Sequence, residues 1–134
     1  MDILERITTL LSEVTDEVYY VFKPDGIPID DYLVFCFDIK DDWYSNNTNE
    51  MTLYFVTINH LTKNQSNVYP TEKKLREVIK KDDFAYGLVN QGSTYIKDTK
   101  EYFTALTFYL LLPVKEETVE EPTIEEPTIE EPTE

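Results

Sequence analysis

Apolar residues open the chain at spacings of three and four. Ile3, Leu4, Ile7, Leu10, Leu11 and Val14 form one stripe of an amphipathic helix, with Asp2 and Glu5 at its positive end. The pattern then changes period. Val18–Phe22 is β-branched and aromatic and is closed by Lys23-Pro24-Asp25-Gly26, a turn signal. Asp31–Ile39 is nearly continuous in apolar and aromatic residues, as a strand buried on both faces would be. A polar loop, Asp41–Glu50, separates it from Met51–His60, where Leu53, Phe55 and Thr57 alternate with Tyr54, Val56 and Ile58.

After a second polar loop, Leu61–Asn67, the period returns to that of a helix. Pro70 and Glu72 suit its first turn, Leu75, Val78 and Ile79 its buried stripe, and Lys80 and Lys81 its negative end. Phe84–Val89 and Ser93–Ile96 read as two strands around a turn at Asn90-Gln91-Gly92. The turn Asp98-Thr99-Lys100-Glu101 leads into a last long strand, Tyr102–Leu112. The order α-β-β-β-α-β-β-β predicts an α+β domain, with an antiparallel or mixed sheet of five to six strands packed by two helices. Leu53, Phe55, Val78, Phe84, Leu106 and Phe108 are the expected core.

The domain should occupy residues 1–114, because residues 115–134 have a different composition. From Glu116 a degenerate copy, E-E-T-V, precedes the five-residue unit E-E-P-T-I, which ends as E-E-P-T-E; the segment has nine carboxylates, no Lys or Arg, and prolines at 122, 127 and 132. Prolines at that spacing forbid a helix or a central strand, and Val119, Ile124 and Ile129 are too few to offset ordering a backbone. A flexible, extended acidic appendage is the expectation. It carries much of the formal charge of −15: residues 1–115 hold 18 acids against 12 bases, a net of −6. Neither part has the clustered Lys and Arg that grip nucleic acid by its phosphates. One cysteine, Cys36, rules out an internal disulfide framework and suits a reducing compartment. No stretch resembles a signal peptide or a membrane span.

Candidate chemistry is sparse. His60, the sole histidine, stands at a strand end without a motif that offers it a nucleophile, and reads as a surface or capping residue. Cys36 lies in the most apolar stretch and reads as a small buried hydrophobe. Acidic pairs at Asp30-Asp31, Asp41-Asp42 and Asp82-Asp83 could serve a metal or glycoside chemistry, but the first two stand at opposite ends of one strand and suit a solvated rim better. Three glycines provide no Gly-rich phosphate cradle. The loops are different. Trp43 and Tyr44 stand among Asp41, Asp42, Asn46 and Asn47, either folded back on a sheet edge or exposed as a protein-contact anchor. With Lys63 and Asn64 of the second loop they form the candidate interface.

Taken together, the N-terminal helix, D-D-Y-L-V-F-C-F-D, M-T-L-Y-F-V-T-I-N-H, the Lys-rich helix T-E-K-K-L-R-E-V-I-K-K, the turn I-K-D-T-K-E-Y and the strand F-T-A-L-T-F-Y-L show a family texture. Residues 1–112 resemble the tail-completion and tail-terminator proteins of long-tailed bacteriophages, which join the head connector to the tail tube. The resemblance implies a structural virion protein of the neck, assembled in the bacterial host cytoplasm into a homo-oligomeric ring, usually a hexamer. It implies no enzymatic activity, no cofactor and no membrane. Its partners would be further copies of itself, the head connector or adaptor, and the tail tube. DNA would pass through without specific binding, and an acidic protein repels the phosphates it must not hold. The acidic repeats are not part of that family pattern.

Two other readings remain. A small adaptor or regulatory domain could use the acidic segment as a DNA mimic or against a basic partner. A small enzyme could use the acidic residues between Asp30 and Asp42, in which case a divalent metal should raise the melting temperature.

Overall fold

The computed structural model describes residues 2–26, 28–45 and 48–113, with residues 41–45 and 48–50 described by their backbone alone. The expected boundary at 114 and the acidic segment beyond it lie outside the described residues.

Asp2 caps the first helix, its carboxylate accepting from the Glu5 amide at 2.8 Å, and α1 runs Ile3–Leu11. The strand β1, Val18–Tyr20, is shorter than the pattern predicted. It stops because Val21 takes a positive φ of 73°, and the Phe22 amide donates to the Tyr20 carbonyl at 2.8 Å, a three-residue turn that tips the chain out of the sheet. After a connection of ten residues, 21–30, β2 covers Asp31–Ser45 and β3 covers Thr48–Thr62. A 3-10 turn, Gln65–Asn67, leads into α2, Val68–Lys80, with Pro70 in its first turn as expected. The last two strands are β4, Ala85–Ile96, and β5, Glu101–Pro113.

The sheet is five-stranded and mixed, in the order β1-β2-β3-β5-β4. Only the β1–β2 pair is parallel. The α+β class with two helices is as the pattern predicted, and besides the shortened β1 two segments differ. Asp41–Glu50 is largely not a loop: the β2–β3 ladder continues through Trp43 opposite Met51 and Ser45 opposite Thr48. Polar composition did not end these strands, because backbone pairing does not depend on burial and Trp, Tyr and Thr suit extended structure. The two predicted strands 84–89 and 93–96 are one. At Asn90-Gln91-Gly92 the chain does not reverse; the ladder slips at Tyr86/Val89 and Asn90/Gly92, so both irregularities are bulges. Gly87 and Gly92 supply the positive φ values, 71° and 128°.

Register fixes the two faces. Leu33 and Phe35 of β2, Tyr54, Val56 and Ile58 of β3, and Leu106, Phe108 and Leu110 of β5 point to one side, where Ile7, Leu10 and Leu11 of α1 and Leu75 and Ile79 of α2 close over them. This is the core. Leu106 and Phe108 belong to it as expected, and Val78 borders it. Leu53 is buried, but on the opposite face, with Phe55 half-buried beside it. Phe84 is 38% exposed. Its ring lies under the Arg6 guanidinium instead, 5.5 Å from the centroid. Nor is β2 buried on both faces: Cys36 is exposed, contrary to its apolar neighbourhood, because it takes the side that the helices leave open.

Gly87 gives a local test of the bulge. A Cβ there would stand 3.1 Å from the Tyr109 ring at a φ that L-residues avoid. Gly87→Ala should therefore destabilise by about 1–2 kcal/mol, measured by urea unfolding. No loss would mean that β4 relaxes out of the bulge.

Candidate interaction surface

Both helices lie on one side of the sheet, and no described helix covers the other. On that open face β3 contributes Phe55, Thr57, Asn59 and Leu61, and β5 contributes Phe103, Ala105, Tyr109 and Leu111. Val34 and Cys36 extend it through β2, and Tyr86 and Val89 through β4. The rings form a chain: Phe55 meets Tyr109 at 5.2 Å between centroids, and Tyr109 stacks on Tyr86 at 5.4 Å with 20° between planes. Lys40 lies 5.6 Å over Phe55. Among the described side chains of the strands on this face, Asp38, Lys40 and Glu101 carry charge, all at its margins, and Lys23 of the preceding connection lies 5.4 Å over Tyr32 at the same end as Glu101. A chain that is 29% charged has kept charge off the middle of one whole sheet face. Val89 is 49% exposed there and Tyr86 48%. A surface of that kind is the ordinary mark of a contact site.

The sequence-predicted interface residues are scattered relative to it. Trp43 and Tyr44 are placed by their backbone in the outer part of β2, and their side chains lie outside the described residues, as do Asn46 and Asn47 altogether. Lys63 follows β3, its amide donating to the Asp30 carbonyl at 2.9 Å. It lines a cleft of about 510 Å³ together with Lys23, Tyr32, Asp98 and Glu101. Burial first, and then the charge and hydrogen bonding of Glu101, push the Tyr32 hydroxyl above the ordinary tyrosine range in that cleft. Asn64 is occupied locally: its side-chain oxygen accepts from the Ser66 amide at 3.1 Å and the Ser66 hydroxyl at 2.7 Å, capping the 3-10 turn.

Three of the candidate chemical groups, His60, Asp31 and Asp82, are engaged in the framework. His60 is 1% exposed, not a surface residue, because its strand position points under the helices. Its Nε2 stands 2.8 Å from Asp31 Oδ1, and Asn67 donates to Asp31 Oδ2 at 2.8 Å. One carboxylate thus ties β2 and β3 to the start of α2, a link that the sequence gives no motif for. Asp82 is likewise engaged, receiving Arg6 of α1 on both oxygens at 2.9 and 3.0 Å. Among the described residues no group of three or more His, Cys, Asp or Glu is disposed to hold a metal ion. No described helix is long and apolar enough to cross a membrane.

No family model matches the chain, and no curated protein matches its sequence. Its fold is similar to that of a chain in the solved structure of the virion of a native gene transfer agent particle. That likeness has a TM-score of 0.53 at 13% identity, over 77% of this chain and 84% of the other. At that identity the likeness is one of fold.

Proposed function

We propose that this chain is a structural virion protein of a phage-like particle, a tail-terminator or tail-completion protein that assembles into a ring between head connector and tail tube. The observation that carries the reading is the open sheet face. A two-layer domain with a wide uncharged aromatic surface is built to be covered, and a head-to-tail ring of identical copies covers such surfaces without leaving an open end. The fold likeness to a chain of a virion particle supports the same class. So does the charge: a net −15 chain lining or flanking a DNA passage repels phosphate at every copy. The roles of Trp43, Tyr44, Asn46, Asn47, Lys63 and Asn64 as neighbour contacts belong to this proposal.

Light scattering over a range of concentrations tests it. The full chain should show a single closed oligomer, and Val89→Glu, which puts a charge at the half-exposed edge of the face, should shift it to monomer without changing the circular dichroism melt. Trp43→Ala should weaken assembly in the same way, again with the monomer's melt nearly unchanged. A protein that stays monomeric or dimeric at all concentrations, indifferent to both substitutions, would favour the adaptor reading instead.

A further inference from the structure

Between α2 and β4 lies a groove of about 320 Å³ on the helix side of the sheet, and nothing described fills it. Ile79, Ala85 and Leu88 give it an aliphatic lining, Tyr86 and Gly87 of β4 border it, and Arg76 and Lys80 supply its positive charge. Glu72 of α2 receives Asn90 of β4 on one oxygen at 2.8 Å and Arg76 on the other at 3.0 Å, which ties helix to strand. The rim continues into the most basic stretch of the chain. Lys73, Lys74, Arg76, Lys80 and Lys81 fall within nine residues against Glu77 alone. Of these five, Arg76 alone has an ion pair among the described residues.

Such a lining matches, in shape and charge, a short peptide with an aliphatic side chain followed by carboxylates. The chain contains that peptide three times, as V-E-E-P-T from Val119 and I-E-E-P-T from Ile124 and Ile129. The tether is also short. Ala85 pairs with Leu110 in the adjacent strand, so β5 ends at Pro113 only three residues beyond the groove's level, about 10 Å at 3.3 Å per residue. Val119 follows six residues later, and six extended residues reach roughly 20 Å.

We propose that the α2–β4 groove is the docking site of this chain's own C-terminal repeats, one aliphatic residue entering the groove while the next two glutamates meet Arg76 and Lys80. Docking is within one chain, because a short tether holds the segment near the groove at an effective concentration on the order of millimolar, which a second copy does not match in dilute solution. Prolines suit this mode: the segment needs no backbone ladder, and each ring reduces the freedom lost on binding. Three equivalent units compete for one groove, so removing a single aliphatic residue should change little and removing all three should abolish docking. The inference does not depend on the ring reading, since it concerns the helix side of the sheet.

The test places a nitroxide on Glu126→Cys in a Cys36→Ser background, the native thiol being exposed, and reads amide intensities of the isotope-labelled full chain. Amides of Ile79, Lys80, Ala85 and Leu88 should lose more than half their intensity, unchanged on dilution and restored by added salt. Val119→Ser, Ile124→Ser and Ile129→Ser combined, which keeps every carboxylate, should restore them fully, and Lys80→Glu largely. Loss that survives the triple substitution would mean loose attraction to the lysines and overturn the groove. Equal loss in a mixture of labelled untagged and unlabelled tagged chains would overturn docking within one chain, and no loss at all would overturn the proposal outright.

Discussion

Phe108→Ala should remove about 3–5 kcal/mol of stability, the largest loss expected from any single truncation in the sheet. The ring is fully buried in β5, opposite Val56 of β3, within the core cluster to which both helices contribute. Its removal leaves a void in a core bounded by strands on a continuous ladder, and such walls collapse only partly. The expected fall in melting temperature is on the order of 15 °C or more, taking 4–8 °C per kcal/mol for a domain of this size. Phe55→Ala is the matched control. Phe55 lies one strand away but on the open face, half-buried, with Tyr109 and Lys40 as its ring contacts. Its loss should be nearer 1–2 kcal/mol in the monomer, since solvent already reaches the site. Denaturant unfolding of both variants would show whether the faces are assigned correctly. A Phe108→Ala loss below about 1 kcal/mol, or a reversed order of the two, would put the core on the wrong side of the sheet.

The contrast between those two residues shows what the sequence could and could not reveal. Alternation in 53–58 and 102–112 marked both strands and sorted their side chains into two sets, but both sets are apolar. With Leu53 and Phe55 on one side and Tyr54, Val56 and Ile58 on the other, periodicity alone does not say which side the helices take. The expected core mixed the faces, taking Leu53 and Phe55 with Leu106 and Phe108. That ambiguity is itself the signal for the open face: a two-layer domain needs one apolar sheet face, and this sheet has two. The bulged β4 has the sequence pattern of a hairpin because Asn-Gln-Gly has turn chemistry, and the same positive φ serves a bulge. The Gly92 amide donates to Asn90 Oδ1 at 2.6 Å, a local turn interaction embedded in a continuing strand. His60 and Asp31 are 29 positions apart and their contact follows from register, which no local pattern encodes.

The same limit hid the link that fastens α1 to the rest of the domain, and breaking it should have the second-largest effect. Arg6 of α1 donates to both oxygens of Asp82, and Asp82 also accepts from the Phe84 amide at 2.9 Å, fixing the turn between α2 and β4. The two side chains are 17% and 9% exposed, and Arg6 Nε is buried without a partner. Asp82→Ala should cost about 2–4 kcal/mol, somewhat less than for a fully buried pair, because it strands a shielded guanidinium and frees the Phe84 amide together. Arg6→Met should cost less, since the thioether chain can keep the contact with Phe84 and removes the unpartnered Nε. Combining the two should therefore leave the protein more stable than Asp82→Ala alone, with a coupling energy of about 1–2 kcal/mol in a double-mutant cycle. If the two losses simply add, the ion pair contributes nothing beyond packing, and α1 is held to the sheet by Ile7, Leu10 and Leu11 alone.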